Sequence, residues 1–169
     1  MKHVAVPVVC DQHGCHNCAA LSVALLLTLT MRRPVRPPPL LGCAPKRLSA
    51  VVGAFRAAGA CDGDPCGSTP ARLRASCEPA RLRVRRGLSP AAVLRLARRQ
   101  RPFVTTFSST YPACGGVVDH AVVVLRAAGH RGVLIQNSYG AAWGTGGRAF
   151  VPLARFRACG VGVELVTVT

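Results

Sequence analysis

Residues 118–147, VDHAVVVLRAAGHRGVLIQNSYGAAWGTGG, decide how the chain is read. His120 opens the β-branched run AVVVL, the turn-like RAAGHRG follows, and VLIQ leads back to Asn137. Two such apolar runs around a Gly-containing turn read as an antiparallel hairpin, which returns Asn137 to the neighbourhood of His120. An imidazole beside an amide suits acid–base work. Taken alone, the pair also fits a hairpin whose polar ends merely sit in a rim.

Outside the hairpin, the decisive stretch is Gln12 to Ser22, QHGCHNCAALS, which runs into an apolar helix pattern. Cys18 falls where that helix begins, with Asn17 as the expected cap and Arg32, Arg33 and Pro34 as stop signals. The positive end of a helix macrodipole and its unpaired N–H groups favour a thiolate. A thiolate nucleophile needs a basic partner, and His120 can serve. Without the His and Asn motifs, a buried or disulfide-bonded role would be the commoner one for Cys18.

These motifs together resemble those of papain-like cysteine peptidases, the papain and cathepsin family, and the resemblance covers nearly the whole chain. Gln12 to Ser22 is similar to that family's Q-x-x-C-x-x-C-W-A-F-S, with Ala19 and Leu21 in place of Trp and Phe. Asp119-His120-Ala121-Val122 resembles [ND]-H-A-V. Asn137-Ser138-Tyr139-Gly140, with Trp143-Gly144 and Gly147, resembles N-S-W-G-x-x-W-G-x-x-G with Tyr for the first Trp. The resemblance implies that Cys18 is the nucleophile, His120 its base and later acid, and Asn137 the residue that orients the imidazole. It implies an oxyanion hole formed by Gln12 and the Cys18 N–H, no cofactor and no metal, and protein or peptide substrates. It also implies a Cys114–Cys159 bridge and a Cys15–Cys43 bridge. The family's aromatics at the positions of Ala19 and Tyr139 shield the His/Asn hydrogen bond. Its G-C-x-G-G segment corresponds to Gly42-Cys43-Ala44-Pro45, where both final glycines are missing and substrate backbone would be gripped less well.

Composition sets bounds on this reading. With 169 residues and 50% hydrophobic content, one domain with a sizeable core is expected, and scarce aromatics leave Ala, Val and Leu to pack it. Nine cysteines point to a disulfide framework or to metal. Eight could pair, with Cys18 as the ninth; the partners of Cys10, Cys61, Cys66 and Cys77 stay open among three pairings. The resemblance implies a lysosomal or extracellular setting, while the first twenty residues lack a signal-peptide pattern and the family's prosegment is not seen. No run is long enough for a membrane span, and a monomer is expected. The formal charge of +16 is explained by arginine spread through an Ala-, Gly- and Pro-rich chain. Residues 72–101, with ten Arg, are the region where an acidic partner stays open.

The expected architecture is α+β, a papain-like two-lobed fold with the active-site cleft between lobes. A helical lobe is expected over about 11–101 and a β-barrel-like lobe over about 102–169, with the N-terminal segment crossing between them. Lys46 to Ala60 carries Leu48, Val51, Val52 and Phe55 at helical spacing before Gly59. Residues 61–88 are expected to hold little regular structure. Ser89-Pro90 opens a helix running to about Arg99. Strands are expected near 103–107, 120–125, 133–136, 148–152 and 161–168. Two other functions compete with cysteine-type endopeptidase activity. One is a catalytically impaired papain-like binding protein. The other is a zinc module built on Cys10, His13, Cys15, His16 and Cys18, which lacks a second well-spaced ligand pair.

Overall fold

The computed structural model describes residues 10, 17–38, 47–66, 76–99, 101–108, 118–158 and 164–169. Helix α1, Cys18–Met31, is apolar on every side, and Ala19 to Thr28 are all buried. An all-round apolar helix must be enclosed. It lies between helix α2, Leu48–Ala58, and the principal sheet. Leu48, Val51, Val52 and Phe55 are the buried face of α2, as their spacing predicts, and the Gly59 N–H closes the helix on the Phe55 carbonyl at 2.8 Å. Helix α3, Pro90–Arg98, starts as expected: the Ser89 side chain accepts from the Ala92 N–H and Pro90 occupies the first turn.

Strands β1 (Ala60–Cys61) and β2 (Cys77–Glu78) form a two-stranded antiparallel sheet. The principal sheet contains β3 (Leu82–Arg86), β4 (Phe103–Ser108), β5 (Val118–Ala128), β6 (Gly132–Gln136), β7 (Arg148–Pro152) and β8 (Glu164–Val168), in the order β3-β8-β4-β5-β6-β7. Its recorded pairings are all antiparallel. A short helix α4, Leu153–Ala158, follows β7 directly and was not expected.

Residues 61–88 correct the expectation of little regular structure, because β2 and β3 lie within them. In β3, Leu82 and Val84 alternate with Arg83 and Arg85, a period-two pattern hidden by its arginine content. As an edge strand, β3 gains from that charge, which discourages pairing with foreign strands.

The AVVV run is continuous rather than alternating because β5 is covered on both faces. Ala121 and Val123 join α1 and α2 in one core; Val122 and Val124 join Val93, Leu94, Ala97 and Phe156 in another. Of the three open cysteine pairings, the structure has Cys10–Cys66 and Cys61–Cys77. The Cys15–Cys43 and Cys114–Cys159 bridges lie outside the described residues. Among the described residues, no helix is long and apolar enough to cross a membrane.

Candidate active site

The β5/β6 hairpin has the predicted sense. Its register pairs Val123 with Gln136, and three more residues along the same ladder would bring Tyr139 across from His120. Asn137 therefore sits diagonally from His120, within reach of its side chain. His120 Nε2 and Asn137 Oδ1 are 2.6 Å apart, and both residues are buried. The same Oδ1 accepts from the Ser138 N–H at 2.7 Å. An amide oxygen can only accept, so Nε2 carries the proton and Nδ1 of the neutral ring holds the lone pair.

Cys18 approaches from the N-terminus of α1. Its Sγ accepts from the Ala121 N–H at 3.5 Å, and it belongs to neither disulfide. One turn further along α1, Ser22 Oγ donates to the Ala121 carbonyl at 3.0 Å. Cys18 and Ser22 are four apart and share a helix face, so Ala121, the residue after His120, is fastened to α1 through both its N–H and its carbonyl. Sequence reasoning gave Ser22 no role; a hydroxyl four residues after the thiol in an otherwise apolar helix was its signal. Asn17, expected to cap α1, does not: its backbone (φ −102, ψ 18) is not extended, and its Oδ1 is buried without a hydrogen-bond partner.

Asn137 is held by a residue the sequence did not single out. Gln136, 1% exposed, donates from Nε2 to the carbonyls of Gly147 (2.9 Å) and Asn137 (3.2 Å) and accepts from Arg148 Nε at 2.9 Å. The Asn137 N–H also donates to the Gly147 carbonyl at 2.9 Å. Gly144, at φ 59, completes the loop between β6 and β7; a Cβ there would stand 2.2 Å from the Arg148 carbonyl oxygen, so only glycine fits.

Tyr139 stacks on the imidazole, with centroids 4.5 Å apart and an interplanar angle of 27°. Trp143 meets Tyr139 edge-on at 6.4 Å. The tyrosine thus covers one side of the ring, and its hydroxyl is 3.3 Å from His120 Nδ1. The loop is tied to the N-terminal segment where the Gly140 N–H donates to the carbonyl of Cys10, itself bonded to Cys66. A half-buried thiol at a helix start, an imidazole of defined tautomer and an amide bonded to it thus meet in one place.

Solved structures share this arrangement of helices and sheet. The chain matches the cysteine protease CMS1MS2 of Carica candamarcensis in complex with E-64 at TM-score 0.72 and 20% identity, covering 98% of this chain and 93% of that one. The fold is papain-like. The digestive procathepsin L2 proteinase of Tenebrio molitor larval midgut matches at TM-score 0.66 and 18% identity, over 95% of this chain and 64% of that one. The proform of the ragweed pollen cysteine protease Amb a 11 matches at TM-score 0.71 and 16% identity, over 97% and 62%. The chain thus spans just under two thirds of each of these last two. No family model matches the sequence, and no curated protein does.

Within this papain-like frame, Cys18, His120 and Asn137 are brought to one site, while Gln12 and the Gly42 to Pro45 segment lie outside the described residues. Ala19, where the resembled motif has Trp, is 3% exposed and packed in the core beneath α1. The zinc reading loses a ligand, because Cys10 is spent in a disulfide; His13, Cys15 and His16 lie outside the described residues.

Proposed function

We propose that the protein is a cysteine-type peptidase, acting as an endopeptidase on protein or peptide substrates through Cys18, His120 and Asn137. The observation that carries this reading is the 2.6 Å His120–Asn137 bond, which leaves Nδ1 as the proton acceptor, next to the peptide unit whose N–H points at Cys18 Sγ. In the proposed reaction the Cys18 proton passes to Nδ1 and the thiolate attacks the scissile carbonyl carbon. The amine leaves with the proton from Nδ1, and an acyl thioester remains. Water then adds to the thioester, giving its proton to Nδ1, and the carboxylic acid departs as the thiol is restored. Asn137 keeps the imidazole in the useful tautomer throughout. Gln12 and the Cys18 N–H are assigned to the oxyanion, and the cleft to the junction of the 11–101 and 102–169 lobes.

One observation favours a second reading, an impaired papain-like binding protein. The Tyr139 O–H can donate to Nδ1, the nitrogen the thiol needs. A thiol-reactive peptidyl epoxide separates the two. Stoichiometric modification mapped to Cys18, abolished in His120→Ala, supports the peptidase. No labelling of Cys18 in the folded protein would defeat it.

A further inference from the structure

At the far end of α1 from Cys18, the chain forms a half-open pocket of about 1150 Å³. Eleven residues separate Cys18 from Leu29 at its margin, so at 1.5 Å per residue the two sites are roughly 15–20 Å apart. The C-terminal ends of α1 and α3, the edge strand β3, the start of β4 and the end of β8 converge there. Five arginines line it: Arg32, Arg83, Arg85, Arg99 and Arg101. Arg32 and Arg99 stand at the C-caps of α1 and α3, where a cation complements the helix dipole. Arg83, Arg85 and Arg101 have no such helix to serve. Arg83 and Arg85 are two apart on β3 and share a face, and Thr167 pairs directly with Arg83.

No described carboxylate answers this charge. The ion pairs among the described residues use Arg33 and Arg86 with Asp62, Glu78 and Glu164, and none of these lines the cavity. Arg85 Nε is buried without a hydrogen-bond partner, a donor withdrawn from water with nothing to receive it. Five like charges around one concavity repel each other, and an anion seated among them removes that cost.

We propose that this cavity binds a compact, multiply phosphorylated small molecule. The inference does not rest on the peptidase reading. Guanidinium forks match phosphate oxygens in bidentate fashion, and all five cations are Arg rather than Lys. Thr167 and Thr169 add hydroxyl groups to the lining, while the Thr30 hydroxyl is committed to the Leu26 carbonyl at 2.8 Å. A phosphate monoester carries about −1.5 to −2 charges, so about three of them balance five guanidinium groups. A peptide cannot supply that density. A sphere of this volume is roughly 13 Å across, which about four extended residues span, with alternate side chains facing one wall. About two carboxylates would then face five arginines. Nucleic acid is disfavoured as well, because the aromatic side chain of the lining, Phe103, is 1% exposed and offers no platform for a base.

The test uses inorganic tripolyphosphate as the probe, with the whole chain, followed by calorimetry and thermal shift. Sulfate at matched ionic strength, a glutamate-rich peptide and a single-stranded oligonucleotide are the comparison arms. Saturable binding near one to one, with a rise in Tm that sulfate does not reproduce, is expected. Arg83→Gln with Arg85→Gln should weaken it at least tenfold, and Arg101→Gln, at an exposed position, severalfold. Arg126→Gln with Arg131→Gln, exposed on the β5/β6 hairpin and equal in charge removed, should leave it within twofold. Equal weakening in both double variants would reduce the effect to net charge and overturn the proposal. So would no binding, or tighter binding of the peptide or oligonucleotide through the same arginines. If the β3 double variant does not fold, Arg101→Gln alone decides against the hairpin control.

Discussion

Tyr139 offers a direct trial of how the proposed nucleophile is tuned. Its ring stacks on His120 while its hydroxyl lies 3.3 Å from Nδ1. Because Nε2–H is committed to Asn137, Nδ1 of the neutral imidazole is an acceptor, and the phenol is its donor. This bond stabilises the neutral ring, and so opposes transfer of the Cys18 proton to it. Tyr139→Phe keeps the stacked ring and removes only the hydroxyl. A hydrogen bond of ordinary strength contributes about 0.5–1.5 kcal/mol net, which is a factor of about two to ten in the thiolate–imidazolium population. The long 3.3 Å separation favours the lower part of that range. The assay is the rate of iodoacetamide alkylation at Cys18, located by peptide mapping and followed from acid to alkaline pH. The Phe variant should react about two- to tenfold faster where the Cys18–His120 pair holds a single proton, and should converge with the parent in acid, where the protonated ring no longer accepts from the phenol, and in alkali, where the thiolate is fully formed. A variant that folds normally and reacts at the parent rate, or more slowly, would refute the argument, because the hydroxyl would then assist the ion pair.

Asn137→Ala removes the 2.6 Å bond that fixes the tautomer, and should lower kcat for peptide hydrolysis by one to three orders of magnitude, less than Cys18→Ser or His120→Ala, with KM little changed. Ser22→Ala leaves the buried Ala121 carbonyl without its donor and should cost about 1–2 kcal/mol in urea unfolding, together with slower labelling of Cys18 as α1 loosens from β5. Glu164 receives the Ser49 N–H in the first turn of α2 and Arg86 Nε from the neighbouring strand; burial pushes its carboxyl up, but bonds from Arg86 and Ser49 outweigh it and hold it below the ordinary glutamate range. A depressed carboxyl contributes stability that is complete above the unfolded value and is lost as pH falls through the folded one. Glu164→Gln should thus cost about 1 kcal/mol at neutral pH, a figure limited by the exposure of Arg86, and the gap to the parent should close in acid; a gap constant with pH would count against it.

The elements that sequence reasoning recovered are those whose side chains report their surroundings. The four-residue spacing in α2, the Ser89-Pro90 start of α3 and the β5/β6 hairpin were all legible because periodicity and turn chemistry agreed with burial. Strand β3 was not, since its arginines outnumber its two apolar residues and only the alternation of Leu82 and Val84 marks it. Helix α4 is too short for a pattern of its own and is imposed by packing, with Phe156 fully buried against the sheet. The site divides the same way. Cys18, His120 and Asn137, the proposed catalytic residues, were readable by type and order, whereas Gln136 and Ser22 act through backbone groups of their neighbours. A buried amide next to a proposed active-site amide, or a serine in an apolar helix, becomes meaningful only when the carbonyl it serves is known. Asn17 fails for the converse reason: residue type alone favours a cap, but the backbone angle before the helix withholds it.

The replacement of two aromatics in the resembled motif has a shared physical basis. Ala19 is enclosed in the core with Ala20, Val23 and Ala24, so the space around the first turn of α1 is filled by neighbouring small side chains. Cover for the His120–Asn137 bond must therefore come from the other side, from the loop between β6 and β7. Tyr139 lies flat on the imidazole, and Trp143 holds it edge-on, a geometry favoured by the ring quadrupoles. The loop that carries both rings is anchored at Gly140 to Cys10 and at Gly147 to Gln136. One-sided cover is thus given by a ring fixed at both ends of its loop, and a phenol, unlike an indole, brings a hydroxyl to Nδ1. The cover and the restraint on Nδ1 come from one side chain, so only a substitution that keeps the ring can separate them.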